Sequence, residues 1–216
     1  MFPPAFIVFL TIVFLAFIIG LIIYKQQKKI RPIVILMGLT IVSEITSVFF
    51  AKYYRNNSPV YHCFNPLQIV LLGCFFYNVF EKKILKHFVL YTTIGMILFA
   101  FFSTIFIEGI MEFPTVFLNV ETLVLIIWSA ILFIQKLDAP SDENVFKNPV
   151  FIISIGVLWF NLFSFVFFLL YSYMLTNKIS IKTISLLHFF SNYIYYGLIL
   201  VAFIMYRSSS RYERCN

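Results

Sequence analysis

Two glutamates and a histidine, Glu44, Glu121 and His188, fall inside long apolar stretches of this sequence. On insertion scales a charged side chain near a bilayer centre costs about 2.5–3.5 kcal/mol, so such a group by default faces a cavity or a partner. Other polar residues fall in step with them. Thr40, Glu44 and Ser47 form one stripe. Tyr61, Asn65 and Gln68 follow i, i+4, i+7 spacing, and Ser185, His188, Asn192 and Tyr195 follow i, i+3, i+7, i+10. Each set lies on one face of a helix. Asn161 has Ser154 and Ser164 on its side, whereas Asn119 and Thr122 are expected to point away from Glu121. Carboxyl and imidazole groups exchange protons, and amides hold a ligand through paired donors and acceptors. The candidate ligand site is therefore Glu44, Asn65, Gln68, Glu121, Asn161, His188 and Asn192, a polar pocket between helices. For any one of these residues the plainer account is hydrogen bonding between helices with no ligand. The two carboxylates fit that account least, because intramembrane carboxylates are rare and usually functional.

Catalytic and metal chemistry find less support. Glu44 and Glu121 form an acid/base pair only where their surroundings drive their proton affinities apart. No Ser-His-Asp order, Gly-x-Ser-x-Gly or His-Glu-x-x-His is present. Cys63 and Cys74 stand 11 residues apart, roughly 16 Å along a helix, and Cys215 is remote from both. The three read as packing or free thiols, not as a disulfide framework or a metal set. The expectation is a noncatalytic protein with no cofactor and no metal.

These residues need elements to carry them. Of 216 residues, 62% are apolar and 12% charged, a balance that no soluble domain of this size can bury. About 20 apolar residues span the hydrocarbon layer as a helix. Seven stretches qualify: 5–24, 32–51, 61–80, 88–107, 114–134, 149–173 and 183–206. The fold expected is all-α, a single seven-helix transmembrane domain over residues 1–216. Its connections are short, and the longest (135–148) is a solvated turn around Asp138, Asp142 and Glu143. Met1-Phe2-Pro3-Pro4 lacks a basic region ahead of the first apolar run, so that run reads as an anchor and not a cleaved signal. Pro32, Pro114 and Pro149 should open helices, and Pro66 should kink the third. Helices 1 and 4, poor in polar residues, should be peripheral.

Twelve of the sixteen Lys and Arg residues fall on one side of the seven spans, in the segments around Lys25–Arg31, Lys82–Lys86, Lys136–Lys147 and Arg207–Arg214. Lys52, Arg55, Lys178 and Lys182 fall on the other. Positive charge stays cytoplasmic, which puts the N-terminus outside and the C-terminus in the cytoplasm. Glu44 then lies roughly 18 Å up helix 2 and Glu121 roughly 10 Å below the outer end of helix 5, both in the outer half. The net charge of +7 follows from these loops, so no nucleic-acid partner is expected. The expected partners are the lipid bilayer and a further membrane or cytoplasmic protein.

Several seven-helix functions require residues that are missing. Retinal attachment needs a lysine within helix 7, and 183–206 has none. The acidic-Arg-Tyr signature of G-protein-coupled receptors would fall where Asn78-Val79-Phe80-Glu81 stands. The Pro-Gln pairs and repeated halves of small sugar carriers are absent, although Pro66-Leu67-Gln68 is superficially similar. The Gly-Asp pairs of membrane ether-lipid hydrolases are not matched. A small-ligand sensor or membrane-complex subunit remains, with a small-solute or proton-coupled transporter and a lipid-directed enzyme using Glu44 and Glu121 as alternatives. With ten residues after Tyr206, a sensor of this kind would pass its signal to a separate protein.

Asn56-Asn57 through Tyr61, then Asn148-Pro149-Val150-Phe151 with Gly156, and Asn192 form a pattern spread over most of the chain. It resembles a group of small seven-helix bacterial membrane proteins of the Bacteroidetes type. The resemblance implies a bacterial inner membrane and the same helix count, and brings no activity with it.

Overall fold

The structure is a computed structural model that describes residues 4–138, 145–177, 179–180 and 182–215. Met1–Pro3, the turn residues Asp142 and Glu143, and Lys178 lie outside the described residues, as do the side chains of Lys182, Arg211, Arg214 and Cys215. Seven α-helices and no strand occur among the described residues: α1 Pro4–Ile23, α2 Arg31–Tyr53, α3 Ser58–Val79, α4 Lys83–Phe106, α5 Thr115–Leu137, α6 Pro149–Thr176 and α7 Lys182–Cys215. All seven are long and apolar enough to cross a membrane.

Most boundaries lie within a few residues of the sequence expectation. The largest departure is α7, which runs on through the Arg-Ser stretch to Cys215 because neither Gly nor Pro interrupts it. Helix α4 starts five residues early, at Lys83, since the Lys-rich stretch is itself a good helix former. Pro32 lies in the first turn of α2 and Pro149 opens α6, where the missing N–H costs nothing. Pro114 instead stands just before α5 as its cap residue. Pro66 lies inside α3 and cannot donate to the His62 carbonyl.

The asparagine motifs have a local role. Helix α2 ends at Tyr53, and Arg55 just beyond it takes a left-handed backbone (φ 56°). Asn56 Oδ1 then accepts the Ser58 N–H at 2.9 Å and starts α3. Asn148 Oδ1 accepts the Val150 N–H at 3.0 Å and starts α6. Both bonds satisfy backbone donors that a helix N-terminus leaves open.

Each helix packs against its neighbours in chain order, and α7 returns to α1, closing a ring. Helix α3 also touches α5, which leaves α4 on the outside. Helices α4 and α1 bury the smallest shares of their apolar windows, 22% and 28%, in agreement with a peripheral place for both. The outer face of α4 presents Tyr91, Leu98, Phe101 and Ile105, all strongly exposed, an exterior suited to lipid. Close approach uses small residues, as expected where lipid tails compete with helix contacts. A Cβ at Gly20 would lie 2.9 Å from both Phe203 and Val34, where α1 meets α7 and α2. A Cβ at Gly73 would overlap Thr93 Oγ1 on α4, whose hydroxyl is pinned to the Val89 carbonyl at 2.7 Å.

The bundle has two unlike ends. At the basic pole Lys28, Lys29, Lys147 and Tyr206 border one cleft, and Lys136 pairs with Glu81 at 3.2 Å. At the far pole Tyr193 donates to the Ala5 carbonyl at 2.6 Å, and Asn56 donates to the Met111 carbonyl at 2.7 Å. The half nearer the basic pole is solid: Met37, Phe76, Trp128, Ile153 and Phe203 are all fully buried there.

Candidate functional site

The half nearer the far pole is hollow. A cavity of about 450 Å³ is lined by all seven of the residues that the sequence singles out: Glu44, Asn65, Gln68, Glu121, Asn161, His188 and Asn192. They come from α2, α3, α5, α6 and α7. Helical periodicity put each on its stripe, and closure of the ring turned the stripes toward one another.

Glu121 is 1% exposed. Its Oε1 receives a long bond of 3.4 Å from Gln68 Nε2, and its Oε2 has no partner. Asn65, 4% exposed, leaves Nδ2 without an acceptor. Buried polar atoms without partners are rare and expensive, and here two of them border the same space. Glu44 is half-buried and makes no hydrogen bond or ion pair among the described residues. His188 stacks on Phe167 at 4.4 Å between centroids, with Phe160 and Phe168 each 5.6 Å away. Its Nδ1 lies 3.5 Å from Ser164 Oγ.

The amide groups of Asn161 and Asn192 donate within their own helices, to Val157 O at 2.7 Å and His188 O at 3.1 Å. Among the described residues no donor bonds to their oxygens. Hydrogen bonding between helices therefore accounts for two long contacts of the seven residues, one within the set (Gln68 with Glu121) and one to a neighbour (His188 with Ser164). The short interhelical bonds lie elsewhere. Asn57 Nδ2 donates to Ser47 Oγ at 2.8 Å, and that hydroxyl bonds Tyr61 Oη at 3.2 Å, joining α2 to α3 beside the cavity.

Two expectations need correction. Thr122 also lines the cavity, because neighbours 100° apart on a helix can both border a wide opening. On α7 the stripe is completed by Tyr196 and not Tyr195. Tyr195 turns inward onto Phe160, with ring centroids 5.0 Å apart and planes at 18°. Helix α1, without a polar stripe, still contributes Phe9.

The aromatic part of the wall has no signature in a sequence with 29 phenylalanines. Phe113 is the clearest case. It belongs to the α4–α5 connection and packs on Tyr61, Phe168 and Tyr171 at 5.3, 6.1 and 5.7 Å. That connection is tied down from both sides. His62 on α3 bridges Thr104 Oγ1 and the Glu112 carbonyl, each at 2.9 Å. Glu108, 7% exposed, takes the Val116 N–H at 3.0 Å and the Thr115 hydroxyl at 2.5 Å. An acidic residue satisfying the first donors of α5 follows helix-capping chemistry, and its place seven residues before Thr115 gives no such signal in the sequence.

Among the described residues no three His, Cys, Asp or Glu side chains stand close enough to hold a metal ion. Cys63 and Cys74 are free and exposed. No protein-family model, no curated protein and no solved structure matches this chain.

Proposed function

We propose that this is a noncatalytic multi-pass protein of a bacterial inner membrane, a single transmembrane domain with its N-terminus outside and its C-terminus in the cytoplasm. Its cavity binds a small ligand from the outer side, and it acts as a sensor or as the ligand-binding subunit of a membrane complex. One observation carries this reading: seven polar side chains from five helices border one cavity while two of their buried atoms stay unpartnered. The volume of about 450 Å³ falls in the range of small-molecule sites. The solid aromatic half beneath the cavity favours holding a ligand over passing one through. Inward orientation of the basic pole rests on the twelve-to-four division of Lys and Arg, and the bacterial membrane on the sequence resemblance.

Cavity filling tests the binding. Asn192 bonds only to its own helix, so Asn192→Phe gives up little and adds bulk to open space. Compounds that raise the melting temperature of the solubilised wild-type protein are expected to lose about a hundredfold in affinity in this variant, a stabilisation that follows RT ln(1 + [L]/Kd). A library without stabilising compounds, or hits indifferent to Asn192→Phe, would overturn the reading. Orientation is tested separately, in a background with the three cysteines replaced by serine. In intact cells a membrane-impermeant maleimide should label Arg55→Cys about tenfold more than Lys29→Cys, as the positive-inside rule requires. The opposite ratio would invert the protein.

A further inference from the structure

We propose that the cavity takes an organic ammonium cation: a primary or secondary amine with an aromatic or aliphatic body and one hydrogen-bond-accepting oxygen. The inference rests on the cavity being a small-ligand site, and adds the chemistry of the ligand.

Charge comes first. The carboxyls of Glu44 and Glu121 are the acidic groups on the wall, and no Lys or Arg lines it among the described residues. Neither carboxyl has an ion-pair partner among the described residues, and the Lys136–Glu81 salt bridge lies at the basic pole. Among the described residues an anionic ligand would meet two carboxyls and no cation. A carboxylate held away from water is stabilised by an opposite charge that also donates hydrogen bonds, and an ammonium N–H supplies both.

The unpartnered atoms give the pattern of the ligand. Glu121 Oε2 lacks a donor and Asn65 Nδ2 lacks an acceptor. Gln68 connects the two places, since it stands one turn from Asn65 on α3 and reaches Glu121 at 3.4 Å. A molecule with an N–H cation and a nearby hydroxyl or carbonyl oxygen completes both atoms at once, whereas a hydrocarbon leaves both unmet. The remaining wall suits a cation as well. Phe64, Phe113, Phe160, Phe167, Phe168 and Tyr171 surround the space, and aromatic faces attract ammonium groups through their quadrupoles. An inorganic cation is a poorer occupant, because no three potential ligands converge among the described residues.

The test uses the full chain in detergent or nanodiscs and four probes of one size: 2-amino-1-phenylethanol, its neutral isostere 1-phenyl-1-propanol, the anion mandelate, and 2-phenylethylamine, which lacks the hydroxyl. Calorimetric titration is expected to show the amino alcohol binding about tenfold or more tighter than the neutral alcohol, as a desolvated cation–π contact and a charge-assisted bond together require. Mandelate should bind weakest. Glu121→Gln should erase the advantage of amine over alcohol, and Asn65→Leu should erase that of amino alcohol over 2-phenylethylamine. Equal binding of amine and alcohol, or tightest binding of mandelate, would overturn the cation and leave the ligand site standing. If none of the four binds while library hits still respond to Asn192→Phe, the cation again falls alone. If there are no such hits either, both readings fall. The comparison of probes on the wild type needs no variant to fold.

Discussion

Glu121→Leu should make the protein more stable by about 1–3 kcal/mol, the usual cost of leaving a buried polar group unsatisfied, and should weaken ammonium binding by about a hundredfold or more, since truncating one partner of a buried charge pair costs about 2–5 kcal/mol. The two effects have one origin. Glu121 is buried in the bundle with one oxygen bonded at 3.4 Å and the other bonded to nothing. A leucine of similar length removes a costly group and replaces it with one that the apolar interior accepts. The half-buried Gln68 loses only a long bond and can turn its amide to the cavity. Unfolding of the solubilised protein in a denaturing detergent series gives the stability, and titration with 2-amino-1-phenylethanol gives the affinity. Stability kept at the expense of function is the mark of a binding residue. If Glu121→Leu instead loses stability, the carboxyl is a structural tie between α3 and α5 and the site has been misplaced.

The second large effect lies beneath the cavity. Trp128→Ala is expected to cost about 3–5 kcal/mol, the range for deleting a large buried aromatic. Trp128 is fully buried on α5, with its ring 5.6 Å from that of Phe76 on α3, so its loss opens a void where those two helices meet. Trp128→Phe should cost much less. It keeps an aromatic ring against Phe76 and removes an indole N–H that has no acceptor, whose burial itself carries a penalty of about 1–3 kcal/mol. The same unfolding series measures both variants. Equal losses in the two would mean that the indole nitrogen has a partner worth keeping. Because this half closes the floor of the cavity, Trp128→Ala should also weaken ligand binding without touching any residue that lines it.

Both predictions concern residues whose visibility in the sequence was very different. Glu121 stood out at once, since a carboxylate in an apolar run has a cost that must be explained. So did the stripes on α2, α3 and α7, because hydrogen bonding within the backbone makes the helix a local structure with a period that can be counted. Trp128 carried no such signal. A buried tryptophan and one at a helix–lipid surface look alike in a sequence where 20% of residues are aromatic. Phe113 was harder still, because it belongs to a connection and is directed by His62, Asn56 and Glu108, residues as distant as 57 positions along the chain.

The number of helices, their approximate ends and the polar face of each follow from local rules applied to the chain alone. Length and hydropathy select the spans, side-chain spacing selects the faces, and Asn56 and Asn148 mark where α3 and α6 begin. Which faces meet is a different matter. It depends on the order of helices around the ring, on close approaches such as those at Gly20 and Gly73, and on α3 reaching α5 so that α4 stays outside. Only that packing brought Thr122 and Tyr196 to the cavity, turned Tyr195 away from it, and left Glu121 Oε2 and Asn65 Nδ2 without partners. Local periodicity sets the rotation of a side chain about its own helix axis, whereas the rotation of one helix against the next comes from contacts between residues far apart in the chain.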